Sequence, residues 1–134
     1  MSGLVLKLGP RERLLVNGAA IENGPRRACL SVLTPDANIL RLRDAIHPEE
    51  ANTPVRRACL AVQLVLSGDS SAEDSRLQLL RRIEELSQVL IDPDSRALLT
   101  RATEMLIKGQ YYPCLKALRS LLPREERLLA HGAS

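Results

Sequence analysis

Two arginine doublets, Arg26-Arg27 and Arg56-Arg57, and a spaced pair, Arg41 and Arg43, are the residues of this chain whose type and spacing best suit chemistry. A guanidinium is permanently charged and grips phosphate oxygens two at a time, so such a set points to an anionic partner. Arg11 and Arg13 lie just upstream and join the same candidate surface. Charge distribution favours the same end of the chain. Residues 1–60 hold nine basic and six acidic side chains, whereas residues 61–134 hold ten of each, so the whole excess of +3 lies in the first part. The plain reading stands beside this one: sixteen of the nineteen basic residues are arginine, so the preference for Arg runs through the whole chain.

Other chemistries find little support. His47 sits at an expected strand-to-helix junction and His131 near the end, and no nucleophile elbow, Walker loop or dinucleotide fingerprint accompanies them. Glu49-Glu50 precedes a helical pattern, where adjacent carboxylates complement the helix dipole. Catalytic residues are therefore expected to be none, and the chain is read as not an enzyme. Cys29, Cys59 and Cys114 are odd in number, with no C-x-x-C and no His nearby, so they read as reduced core thiols rather than as a metal site or a disulfide framework. No metal and no cofactor is expected. The opening MSGLVLKLGPRER lacks a basic segment followed by a long apolar run, and no stretch approaches the ~18 apolar residues of a membrane span. A reducing cytoplasm is the expected compartment. With Tyr111 and Tyr112 the only aromatics, the stacking platforms of most single-strand RNA modules are missing, so any RNA contact should be led by arginine and backbone.

The elements that must position the arginines follow from pattern. LVLKL (4–8), RLLV (13–16), AAIE (19–22), RRACLSVL (26–33) and ILRLRDAI (39–46) read as short strands. Asn17-Gly18 and Asn23-Gly24 both read as two-residue turns, giving a β-meander, with Pro25 at the first position of the next strand and a turn at TPDAN (34–38). Alternation in 39–46 places Leu40 and Leu42 on one face and Arg41 and Arg43 on the outer face.

From about residue 48 the period becomes helical. Thr53 reads as N-cap, Pro54 as first helical residue and Gly68 as stop, with Val55, Cys59, Val62 and Leu66 on one face. Arg56 and Arg57 then fall in a first turn that disfavours cations by up to ~1 kcal/mol, which an anionic contact would offset. Ser71-x-x-Asp74 opens a second helix whose inner face runs through Leu77, Leu80, Ile83, Leu86 and Leu90. A third helix over about 95–108 ends at Gly109. A fourth, YYPCLKALRSLL (111–122), ends at Pro123, leaving a short frayed helix and tail. The fold class is α+β: residues 1–47 form a small antiparallel sheet, and residues 48–134 a bundle of about four helices that supports it and contacts partners, the two making one unit.

Three blocks together, LGPRERLLVNGAAIENGPRRACL, IHPEEANTPVRRACLAVQLVL and GQYYPCLKALRSLL, resemble the FlbT family of flagellum biosynthesis regulators over about residues 4–122. The resemblance implies a post-transcriptional regulator that associates with the 5′ untranslated region of flagellin messenger RNA and represses it by promoting its degradation. Some relatives of that family act positively. It also implies work beside the small flagellar protein FlaF, with flagellin a further candidate partner and a homo-oligomer a candidate assembly. The candidate RNA-binding residues are then Arg11, Arg13, Arg26, Arg27, Arg41, Arg43, Arg56 and Arg57. A weaker, local likeness links GPRERLLVNG and LRLRDAI to the CsrA-type RNA-binding fold, which would give an RNA-reading role to Arg41 or Arg43. The competing reading is an assembly or export adaptor that docks FlaF or flagellin on a helical face without touching RNA.

Overall fold

The computed structural model describes residues 4–34 and 37–132. The first part forms β1 (Leu4–Leu8), β2 (Arg13–Val16), β3 (Ala19–Glu22), β4 (Ala28–Val32) and β5 (Ile39–Arg41). Asn17 and Gly18 take φ of 49° and 83°, and close β2 onto β3 as the expected tight hairpin. The second Asn-Gly pair behaves differently, and the single meander is corrected there. Neither Asn23 nor Gly24 takes positive φ. Instead the ladder runs on past β3: Asn23 N–H donates to the Glu12 carbonyl (2.8 Å) and Arg11 N–H to the Gly24 carbonyl (2.9 Å). The Asn23 side-chain amide donates to the Gly9 and Arg26 carbonyls, at 2.7 and 2.9 Å. The chain therefore carries on instead of reversing, Pro25 lies ahead of the strand and not at its start, and β4 returns to pair antiparallel with β1, Lys7 opposite Cys29. The result is two small sheets, β1-β4 and β3-β2-β5. The turn expected at 34–38 and the end of the expected tail lie partly outside the described residues.

The last expected strand is also shorter than its pattern. β5 stops at Arg41, and Leu42–Asp44 winds into a 3₁₀ turn that leaves Leu42 exposed. All three β5 residues are buried, so Arg41 points inward and not to the outer face. A second 3₁₀ turn, Pro48–Glu50, is capped by His47, whose Nδ1 accepts from Glu49 N–H (3.3 Å) while Glu50 accepts from His47 N–H (3.4 Å). Those groups are structural caps.

Five helices follow: α1 (Pro54–Ser67), α2 (Ala72–Ser87), α3 (Pro93–Ile107), α4 (Tyr111–Arg119) and α5 (Leu122–Gly132). Thr53 caps α1, Ser71 caps α2 and Asp92 caps α3, each accepting from a backbone N–H three residues on. Gly68 and Gly109 follow α1 and α3 with φ of 87° and 77°, the left-handed geometry of a helix stop. On α2 the inner face is Leu79, Ile83 and Leu86, and Leu77, expected on that face, is instead 61% exposed. Pro123 does not end the helical part. It occupies the first turn of α5, where its missing N–H costs nothing, so the expected four helices become five.

One aliphatic core joins both parts, from Leu6, Leu14 and Ile39 of the strands through Val55, Cys59 and Val62 of α1 to Leu115, Leu118 and Leu121. Burial pushes the thiols of Cys59 and Cys114 up to about 12, which makes them inert packing groups. Cys29 is exposed, against the reading of three core thiols. Two polar clamps fasten the 44–46 loop. The buried Gln63 amide accepts from Ile46 N–H (2.6 Å) and donates to Ile46 carbonyl (3.0 Å), and Arg119 donates to the Asp44 carbonyl.

The arginine doublet in the first turn of α1 finds its anion inside the chain. Glu125 of α5 is buried, accepting from Val55 N–H (2.8 Å) and from the Thr53 hydroxyl, while Glu126 lies 3.6 Å from Arg56. A carboxylate on this helix end satisfies a free N–H and offsets the dipole. We expect Glu125→Ala to cost about 2 kcal/mol in urea unfolding, since Val55 N–H is left unpaired, and Thr53→Ala to cost about 1 kcal/mol. A double-mutant cycle should show the two coupled; strict additivity would mean that Glu125 does not act through this cap.

Candidate nucleic-acid interface

The candidate site is built on one buried carboxylate. Chain reversal between β1 and β2 uses Gly9 to Glu12, with Arg11 at φ 59° and Glu12 N–H donating to the Gly9 carbonyl. This geometry turns the Glu12 side chain inward, where its Oε1 accepts from Gly9 N–H at 3.0 Å. Arg41, arriving at the end of β5, meets it fork to fork: Nε to Oε2 at 2.7 Å and Nη2 to Oε1 at 2.8 Å. Nη2 also donates to the Lys7 carbonyl at 2.6 Å. Both side chains are under a tenth exposed. The Arg41 hydrogen bonds hold the Glu12 carboxyl down at about 2, and the Glu12 carboxylate in turn raises the affinity of the Arg41 guanidinium for its proton.

Arg43, 3.6 Å from Glu12, lines a groove of about 550 Å³ together with Lys7, Gly9, Pro10, Arg27 and Cys29. Each cation arrives by a different route. Alternation along β1 buries Leu6 and Leu8 and turns Lys7 outward, β1-β4 pairing sets Arg27 beside the end of β1, and the 3₁₀ turn after β5 swings Arg43 out. Among the described residues no carboxylate lines the groove. Arg43 Nε lies 3.6 Å from Glu12 Oε2, but that oxygen is already claimed by Arg41. Such a surface carries unbalanced positive charge and suits a phosphate-bearing ligand.

The eight candidate arginines thus fall into separate places. Arg27 and Arg43 share the groove, whereas Arg41 lines a neighbouring one with Arg43 and commits donors to Glu12 and Lys7. Arg11 and Arg13 sit on the β2-β3 side with Glu22, at 3.9 and 2.8 Å. Arg26 is exposed but does not line the groove. Arg56 is engaged by Asn52 and Glu126 at the start of α1, and Arg57 lines a different groove with Arg82 of α2. Sequence reasoning missed Lys7 and Glu12. The alternation of LVLKL was the available signal for Lys7; nothing local announced that Glu12 would pair with a residue 29 positions on.

The family described as flagellar protein FlbT matches residues 4–129. The chain belongs to the FlbT family. A probable flagellum biosynthesis repressor protein FlbT of Caulobacter sp. (strain K31) is 31% identical over 128 residues, covering 96% of this chain and 97% of that one. The corresponding protein of Chelativorans sp. (strain BNC1) is 35% identical over 127 residues, covering 95% and 85%. The flagellum biosynthesis repressor protein FlbT of Caulobacter vibrioides (strain ATCC 19089 / CIP 103742 / CB 15) is 30% identical over 131 residues, covering 98% and 92%. These relatives support a regulatory role in flagellum biosynthesis. No solved structure matches. Among the described residues of this FlbT chain, no helix is long and apolar enough to cross a membrane.

The Glu12–Arg41 pair makes a pH-dependent prediction. A carboxyl held at about 2 when folded stabilises the fold fully above the ordinary value of 4.5, and that contribution is lost as pH falls from there toward 2. Glu12→Gln should cost about 3 kcal/mol near neutral pH, because Arg41 is left buried without a counter-charge. In urea unfolding the gap between wild type and variant should narrow as pH drops through that window. A gap that stays constant with pH would exclude the ion pair as its cause.

Proposed function

We propose that this protein is a post-transcriptional regulator of flagellum biosynthesis that binds the 5′ untranslated region of flagellin messenger RNA, represses it and promotes its degradation. One observation carries the reading: Lys7, Arg27 and Arg43 converge on a single groove that, among the described residues, no carboxylate lines. Membership of the FlbT family and the repressor names of its relatives supply the biological context. The role is recognition and not catalysis. Phosphate contacts fix where a strand lies, and the chain's lack of exposed aromatics leaves base reading to hydrogen bonds or to RNA shape.

A second reading has its own observation. Leu128 and Leu129, near the end of α5, are each about half exposed, at 52%, as a helix meant for a protein partner would be. An adaptor of that kind would hold FlaF or flagellin with little salt dependence and would lose it on Leu129→Ser.

Titration of the purified protein against a flagellin 5′ leader and a scrambled RNA, at several salt concentrations, separates the two. We expect the logarithm of the binding constant to fall linearly with the logarithm of salt, and Arg27→Glu and Arg43→Glu each to reduce the slope by about 0.7 for single-stranded RNA. Arg26→Glu, outside the groove, should change it less. Negligible binding of both RNAs would sink direct recognition.

A further inference from the structure

We infer that the anion-binding surface does not end at Arg43 but continues onto α4, where Lys116 takes the next stretch of a single-stranded RNA backbone; this rests on RNA being the ligand of the first groove. The connection is physical. Arg43 lines both the Lys7–Arg27 groove and a neighbouring one formed by Asp44, Tyr112, Lys116 and Arg119. Lys116 in turn lines that second groove and a third cavity, of about 450 Å³, with Arg101 of α3. The three hollows therefore share walls and form a track from β4 to the α3-α4 seam.

Charge along the track is almost all of one sign. Among the described residues, no carboxylate lines the first or third hollow, and the second has only Asp44. Asp44 is balanced within the protein, with its carboxylate 3.8 Å from Arg119 and 4.0 Å from Arg43. Arg119 is thus a positioning residue. It anchors the Asp44 carbonyl and quenches the one acid, leaving its neighbours' charge unopposed. Lys116 is exposed, with no acidic partner among the described residues. Its ammonium lies 5.7 Å from the centroid of the buried Tyr112 ring, a contact that orients the side chain without cancelling its charge.

A ligand that follows this track must be elongated and repeatedly negative, which an RNA strand is at every nucleotide. The third cavity adds apolar walls, Leu98 and Pro113, beside Arg101 and Lys116, so a splayed base finds contact next to its phosphate. None of these helical residues belongs to the arginine doublets. The helical half therefore enters the site as an RNA-contacting surface, beyond the support and partner contact expected of it.

The test uses fluorescence anisotropy on the full chain with labelled single-stranded RNAs of about four and about sixteen nucleotides, the span of common single-strand sites. Wild type is compared with Lys116→Glu, Lys116→Gln and Arg27→Glu at several salt concentrations, with a polyglutamate chain as competitor. We expect Arg27→Glu to weaken both RNAs. Lys116→Glu should weaken the long RNA about tenfold, a loss of the size of one charged contact, and Lys116→Gln should lower its salt slope by about 0.7. The short RNA should respond much less to either. If Lys116→Glu binds the long RNA as wild type does while Arg27→Glu fails, the track ends at Arg43 and the inference is overturned. If polyglutamate displaces the long RNA at equal charge and binds more tightly, the track serves an acidic protein instead. If wild type binds neither RNA, the RNA reading itself falls, an outcome distinct from the failure of Lys116 alone.

Discussion

The ion pair between Glu12 and Arg41 is the constraint on which the strand region depends. Removing two opposite charges from water costs several kcal/mol apiece, and Coulomb attraction repays that only when geometry is good and the remaining polar atoms are satisfied. Both conditions hold. The guanidinium meets the carboxylate through two donors, Gly9 N–H takes a further place on Oε1, and Arg41 spends a third bond on the Lys7 carbonyl. One pair therefore ties the end of β1, the turn into β2 and the end of β5. Its value lies in specificity: a slip of β5 by one residue would bring a leucine to Glu12 and leave the carboxylate buried alone.

The same pair shapes the neighbouring surface. A carboxylate near Lys7 and Arg43 would ordinarily cancel their field. Glu12 does not, because Arg41 has already neutralised it and both side chains are under a tenth exposed. The protein thus keeps an acid where folding needs one and presents cations where a ligand would arrive. At the start of α1, Glu125 does comparable work. α1 packs against α2, α4, β5 and α5, and its N-terminal turn carries Arg56 and Arg57 against the dipole. The last helix returns to supply the missing anion, so two charge conflicts written into the sequence are both resolved by partners far away in the chain.

That distance explains which features could be read from sequence. Local rules worked wherever the partner was local. Asn17-Gly18 closed a hairpin, Thr53, Ser71 and Asp92 capped helices, and Gly68 and Gly109 stopped them. Asn23-Gly24 looked identical to Asn17-Gly18, yet its side chain was claimed by Gly9, fourteen residues back, and the turn did not form. Pro123 looked like a stop because nothing nearby said that Glu125 would be buried against α1. For the site, the type of residue was legible and the grouping was not. Arg27 and Arg43 come together only through the pairing of β1 with β4 and the placing of β5 beside β2.

Arg41 and Arg43 show the point most sharply. Two residues apart in a strand, they should share a face, and a strand continuing through 43 would have carried both guanidiniums inward. Glu12 offers one carboxylate, and Arg41 fills both of its oxygens. A second buried guanidinium would lack a counter-charge, at a cost of several kcal/mol, more than the few hydrogen bonds of an extended ladder return. Ending the strand at Arg41 avoids this. The 3₁₀ turn at Leu42–Asp44 breaks the alternation, leaves Arg43 58% exposed, and trades exposure of Leu42 for it. A dipeptide repeat that reads as one arginine face is thereby divided between two tasks, with one guanidinium holding the fold and the other left available to a ligand. Because the carboxylate that β5 meets is already filled by Arg41, the division follows from electrostatics and not from strand propensity.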